Sequence, residues 1–315
     1  TDKGRTDRLL GNIFIEATPL SGLTLRVNAG LDHANIDRKT YQPRSTLNGK
    51  NLNGVAYIYN TANNQYLMEA TATYQRTFND IHNVNLLAGT SYEKFNYDAS
   101  ELGNNNFITD AFLWNNMDAG TGTKITKSTS TENKMMSYFF RAGYILKTRY
   151  LLTATLRADG ASVFAKNNKW GYFPAFSAAW RLGEEEFIKD LNIFSDLKFR
   201  IGYGLAGNNR IGSYSSLAIM SSVTYPNANS AQSGYASKQV PNPDLKWETD
   251  ITVNAGIDFG FFDDRLTGSV DYYVRTAKDL LNFTPLPVTG MVGNIAKNVG
   301  SCLLYTSPSP RDPKT

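Results

Sequence analysis

The chain has 315 residues, 41% of them hydrophobic and 19% charged, with 18 Tyr, 17 Phe and 4 Trp, which excludes a disordered or collagen-like polymer. A mean hydropathy of −0.36 and the lack of any long apolar run exclude a transmembrane helix, but not a membrane β-barrel, whose alternating strands hide from hydropathy averaging. The net charge of +4 comes from 32 basic and 28 acidic residues without a basic run, so nucleic acid is not an expected partner.

Period-two alternation predicts ten strands, near residues 8–17, 23–33, 66–77, 82–94, 136–147, 150–160, 173–183, 196–206, 247–261 and 265–276. The second sets Leu23, Leu25, Val27, Ala29 and Leu31 against Thr24, Arg26, Asn28, Gly30 and Asp32. The sixth sets Tyr150, Leu152, Ala154, Leu156 and Ala158 against Thr153, Thr155, Arg157 and Asp159, and the last two repeat the pattern. A period of two places one apolar and one polar face on the same sheet.

The connections alternate between short ones of 5, 4, 2, 12 and 3 residues and mostly long ones of 32, 41, 12 and 40. An antiparallel meander with tight turns at one end and large loops at the other is the layout of outer-membrane barrels, and strands of 10 to 13 residues suit a tilted span. Within the longest turn, Phe187, Ile188, Leu191 and Phe194 have helical spacing and predict a short helix. The long loops are rich in Asn, Gly, Ser and Thr, as in Gly103 to Asn106 and Asn227 to Ala231, which suits exposed recognition surfaces. Aromatics gather at both strand ends, with Phe78, Tyr150, Trp180, Phe261 and Phe262 toward the turns. Tyr92, Phe95, Trp170, Tyr172, Phe173 and Trp247 lie toward the loops, and together they predict two interfacial girdles.

Charged residues on the polar face, Arg26, Arg141, Arg157, Asp159, Arg181, Arg200, Asp271 and Arg275, must line the lumen, because each would cost about 2 to 4 kcal/mol at mid-membrane on the lipid side. They either line a substrate path or pair with one another as a wall. Candidate contacts to substrate or lid lie in the loops, at Trp114, Tyr214, Tyr225 and Tyr235. Catalysis has little to work with. Of the two histidines, His33 follows Asp32 at a strand end, where it reads as a polar strand-end residue in preference to a base oriented by the carboxylate, and His82 sits beside a tight turn as an expected solvent-exposed residue. No metal, nucleotide or other cofactor signature occurs.

Cys302 is the only cysteine, so the body holds no disulfide framework or thiolate metal site. The chain opens at Thr1 without an initiator Met or signal peptide, which reads as internal to a longer protein. Cys302 to Asp312, CLLYTSPSPRD, breaks the preceding pattern and looks like a translated sequencing adapter. The expected division is therefore a partial barrel over 1–301 and an adapter-derived or unstructured tail over 302–315.

Three segments carry a resemblance to a known family: 138–182, YFFRAGYILKTRYLLTATLRADGASVFAKNNKWGYFPAFSAAWRL; 197–212, LKFRIGYGLAGNNRIG; and 241–275, PNPDLKWETDITVNAGIDFGFFDDRLTGSVDYYVR. Together they resemble the barrel of SusC/RagA-type TonB-linked outer-membrane proteins, the glycan and peptide importers of Bacteroidetes. One departure is Val163-Phe164-Ala165 after Ser162, where the family usually has Ser-Arg-Phe-Gly. The resemblance implies an all-β, antiparallel transmembrane barrel of 22 strands with a plug, of which this chain supplies about ten strands, in the outer membrane of a Gram-negative cell. It also implies import of an oligosaccharide or peptide substrate, outer-membrane lipid around the wall, a SusD-like surface lipoprotein as lid, and the TonB complex as the source of drive. Two rival readings are a complete small outer-membrane barrel acting as adhesin or hydrolase, and a soluble β-sandwich binding module.

Overall fold

In the computed structural model, the described residues are 1–227, 230–287 and 293–306. Among the described residues fifteen strands form, β1 (Asp2–Leu20), β2 (Leu23–Gln42), β3 (Val55–Phe78), β4 (His82–Asn105), β5 (Ile125–Leu146), β6 (Tyr150–Ala161), β7 (Trp170–Arg181), β8 (Phe194–Asn208), β9 (Ile219–Asn227), β10 (Ser230–Gln239), β11 (Glu248–Phe261), β12 (Leu266–Lys278), β13 (Leu281–Pro285), β14 (Asn294–Asn298) and β15 (Ser301–Thr306). Eleven of them make one sheet in the order β1-β2-β3-β4-β5-β6-β7-β8-β11-β12-β15, while β9 pairs with β10 and β13 with β14. All ten expected strands are present.

Three differences from the sequence reading have physical causes. Strands β2 to β5 run 20 to 24 residues, well into the segments expected to be loops, because strand pairing continues there although polar residues occupy both faces. The hairpin β9–β10 lies inside the longest expected loop. Only Ala228 and Asn229 of the Asn227–Ala231 stretch fall outside the described residues. Finally, residues 302–306 of the expected unstructured tail are a strand, with Ser301 opposite Lys278 and Cys302 opposite Ala277. The ladder of backbone groups along β12 accepts any extended segment that carries β-competent side chains. Residues 307–315 lie outside the described residues.

The turns are as tight as the spacing requires. Consecutive positive φ values at Asn79 and Asp80, and at Lys147 and Thr148, are the mark of turns whose twist matches the flanking strands. The expected turn helix is shorter than its spacing suggested, a 3-10 turn (Leu182–Glu184) followed by α2 (Glu186–Lys189); α1 (Leu47–Asn51) is capped by the Thr46 side chain.

Contacts divide the chain into two units. The first comprises Thr1–Ile15, Val27–Glu69 and Tyr92–Lys134. On its apolar face Leu9, Val27, Tyr66, Met68 and Tyr92 are exposed. Two residues further along the same faces the character changes sharply, to Asp7 on β1, His33 on β2 after Leu31, Asn64 on β3 and Lys94 on β4. The loop ends of this unit are fixed by a small core of Tyr41, Ala56 and Phe107 under Leu113, Trp114 and Met117. The Tyr41 hydroxyl donates to Asp110 at 2.8 Å. Burial first, and then that carboxylate, push the phenol up to about 12.

The second unit comprises Glu16–Arg26, Ala70–Ser91 and Met135–Thr315. Register places Tyr144, Leu152, Ala178, Ile201, Ala255 and Tyr272 on one rung of adjacent strands. Tyr150, Trp180, Phe199, Ile257 and Val270 make another. Most of these large side chains are exposed, which is the reverse of a soluble core and is what a lipid-facing surface requires. The buried core lies instead at the loop end: Ala161, Val163, Phe164, Phe173, Leu245, Trp247 and Ala296. Phe173 and Trp247, expected in the loop-side girdle, therefore belong to this core, where their rings meet edge-on with centroids 5.4 Å apart. The glycines make that close fit possible: a Cβ on Gly171 or Gly207 would fall within 2.4 Å or 2.1 Å of the Phe173 ring.

Candidate functional site: the polar wall and the loop ends

The polar face of the second unit is built by the same register that exposes the apolar one. Arg200 lies opposite Gly256, and Gly256 opposite Asp271, so the three occupy one rung of β8, β11 and β12. The missing side chain at Gly256 lets the guanidinium cross the strand. Arg200 reaches Asp271 at 3.1 Å while holding Asp258 through two hydrogen bonds of 2.9 and 2.7 Å, with the Lys198 ammonium 3.6 Å from Asp258. A second node has Arg157 held by both Asp159 oxygens at 2.8 Å and donating to Ser137 Oγ at 3.0 Å, over the Phe139 ring. Ser137 is 0% and Asp159 7% exposed, so this node is closed.

Other members of the wall pair more loosely. Arg275 meets Asp250 at 2.7 Å, and Arg26 lies 3.8 Å from Glu16. Arg181 acts electrostatically on Glu184. Arg141 has no ion-pair partner among the described residues; it lines a mixed groove of about 510 Å³ with Gln75, Asn83, Asn85, Leu87 and Ile145 among others. Six of the eight expected wall residues are thus engaged in ion pairs with other side chains of the wall or its rim.

Each of the four loop aromatics has its own setting. Trp114, in the first unit, packs on the Tyr41–Phe107 core and is half-buried. Tyr214 sits in a turn with φ of 64°, where its carbonyl accepts from Gln239. Tyr225 and Tyr235 are on the β9–β10 ribbon, but Tyr235 pairs with Ser222 and Tyr225 with Gln232, which puts the two rings on opposite faces. Tyr235 is 80% exposed.

The candidate base at His33 is not formed. Strand alternation sends Asp32 to the other face, where Arg8 holds it at 2.8 and 2.5 Å, and His33 instead meets Asn64 Oδ1 and, at 3.0 Å, Asn35. His82 is half-buried rather than solvent-exposed, bonded to the Tyr144 hydroxyl at 2.7 Å. Among the described residues no group of acidic, His and Cys side chains could hold a metal ion.

Reading residue types alone did not reveal the Glu185 node at the turn end. Its Oε1 accepts from the Tyr150 hydroxyl at 2.7 Å and the Trp180 indole at 3.1 Å, and its Oε2 from Arg149 at 2.8 Å. These bonds, the Tyr150 one foremost, hold the carboxyl below the usual glutamate range. The only signal was the run Glu184-Glu185-Glu186 beside a girdle aromatic.

An antiparallel sheet with an exposed apolar face, a paired polar face, tight turns at one end and folded loops at the other is the wall of an outer-membrane β-barrel. A family model described as TonB dependent receptor-like, beta-barrel matches residues 3–303, and the chain belongs to that family. It is 35% identical over 293 residues to a TonB-dependent receptor of Formosa agariphila, covering 91% of this chain and 28% of the relative. It is 33% identical over 318 residues to the TonB-dependent receptor SusC of Bacteroides thetaiotaomicron, covering 96% and 30%. Among solved structures, that of the RagAB peptide transporter superposes with a TM-score of 0.86 at 26% identity, over 97% of this chain and 34% of that one. The chain spans 28 to 31% of the length of the curated relatives it matches. It is thus part of the barrel of a SusC/RagA-type outer-membrane receptor, a family of receptors and not of enzymes.

Proposed function

We propose that this barrel wall serves a TonB-dependent transporter that imports oligosaccharides or peptides across the outer membrane, with a SusD-like surface lipoprotein as lid and the TonB complex as drive. The observation that carries this reading is the continuous likeness, at a TM-score of 0.86 over 97% of the chain, to a peptide transporter of the RagAB type. The paired lumen wall supports it too. Guanidinium and carboxylate groups locked to one another make a hydrophilic, rigid lining that lets a polar solute pass without capturing it.

The test is uptake in cells lacking the full-length receptor. Growth on a panel of oligosaccharides and peptides is expected to fail on one class and to return with the receptor, and a surface lipoprotein is expected to copurify with it. Undiminished growth on every member of both panels would refute the import reading.

A further inference from the structure

The outer face of the first unit has a sharp chemical boundary that the import reading does not use. Below it stand the exposed Leu9, Val27, Tyr66, Met68 and Tyr92; Tyr66 and Tyr92 sit at the edge, where aromatic rings favour the membrane–water interface. One step above Tyr92 on the same face is Lys94. Its ammonium lies 2.8 Å from Glu132, which also holds Lys134 at 2.6 Å. The two lysines are thus gathered on neighbouring strands by one carboxylate, a cluster of three groups with a net charge of +1. Further up the same face, a groove of about 470 Å³ is lined by Asp37, Asn60, Asp98, Ser100, Ser128 and Ser130 among others, acceptors and hydroxyls suited to sugar hydroxyl groups. Asn96, one step along β4 between Lys94 and Asp98, has an enclosed Oδ1 without a hydrogen-bond partner. All of this belongs to the loop end of the strands, which in outer-membrane barrels faces outward.

We propose that this face binds the sugar-phosphate headgroup of an outer-leaflet glycolipid of the lipid A type, with Lys94 and Lys134 on the phosphate and the groove at Asp98, Ser100 and Ser128 on the sugar. Continuity with the lipid-facing band places acyl chains below and the headgroup at the lysines, and the charge there complements phosphate. The proposal rests on the outer-membrane location and not on import, so uptake plays no part in its test.

The full-length receptor, purified in detergent, would be titrated with bisphosphorylated lipid A, phosphatidylglycerol or inorganic phosphate, and bound lipid counted by native mass spectrometry. Lipid A is expected to bind in preference to the other two. The double variant Lys94→Gln/Lys134→Gln should bind it roughly thirtyfold more weakly, since each surface lysine contributes about 1 kcal/mol toward an anionic headgroup. Lys94→Arg/Lys134→Arg should retain binding. Should the Gln pair fail to fold, acetylation footprinting of the wild type serves instead: lipid A is expected to shield Lys94 and Lys134 but not Lys238 on the β9–β10 ribbon. Equal binding by wild type and the Gln pair, equal loading with phosphatidylglycerol, displacement by inorganic phosphate, or unshielded lysines would each overturn the proposal.

Discussion

At the scale of single residues, the wall is held by groups whose removal exposes a charge rather than a gap. Asp159 is the clearest case. Taking away a carboxylate that chelates Arg157 leaves a guanidinium whose other partners are Ser137 Oγ and the face of Phe139. Breaking a fully buried pair costs about 3 to 5 kcal/mol; because Arg157 keeps partial solvent access, Asp159→Ala is expected to cost about 2. Asp159→Asn should cost less, and both are read as loss of heat resistance of the folded receptor in detergent gels. Gly256 makes a subtler prediction. An added methyl would sit 2.3 Å from Asp271 Oδ1 and 3.0 Å from Arg200 Nη2, so Gly256→Ala must displace the bridge and is expected to destabilise by about 1 to 2 kcal/mol. Asp271→Ala should largely absorb that effect in the double variant, because the clashing oxygen is then gone; additive losses would show that the bridge is not what the glycine protects.

At the scale of elements, turns and caps carry the testable energetics. The hairpin joining β5 to β6 needs positive φ at both Lys147, at 51°, and Thr148, at 60°, although a β-branched residue resists that region. Thr148→Gly is therefore expected to raise stability by up to about 1 kcal/mol, the opposite of its effect inside a strand, measured as a higher melting temperature. The following turn depends on Glu185. Its carboxyl is held below the ordinary glutamate value of 4.5, so the ionised form stabilises the fold above that value, and the contribution is lost as pH falls through the depressed one. The melting temperature of the wild type should drop in that acid window, and that of Glu185→Gln should stay flatter.

How much of this was legible follows from the same elements. Strands β6, β8, β11 and β12 could be read because burial in lipid forces strict alternation, and that is a strong pattern. The outer halves of β2 to β5 could not, since a strand that is wet on both faces has no hydrophobic period to betray it. The β9–β10 ribbon, with Ser221, Ser222, Ser233 and Ser237 among its residues, reads as a loop for that reason. Parity assigns the eight wall charges to one face of their own strands, yet which of them pair depends on register between strands distant in sequence, as for Arg200 and Asp271. Parity alone separates Asp32 from His33, since neighbours along a strand point to opposite faces, in keeping with a polar strand end rather than a paired base.

At the scale of the whole molecule, stability depends on what borders the sheet. In the strand order β1 and β15 are the terminal members, each pairing on one side only among the described residues. β1 is exposed along its whole length, with Leu9, Leu10, Ile13, Phe14 and Ile15 open on both faces. An unpaired backbone group costs several kcal/mol in hydrocarbon, and in water a long apolar edge is a template for pairing with another chain. Neither solvent satisfies this chain alone. Expressed by itself and diluted from denaturant into detergent micelles, it is expected to give β-rich aggregates without a heat-resistant monomer, whereas the full-length receptor should refold to one. Light scattering and gel mobility before and after boiling distinguish the two. A discrete heat-resistant monomer from the isolated chain would mean that β1 and β15 find each other, and that the wall closes with far fewer strands than its relatives imply.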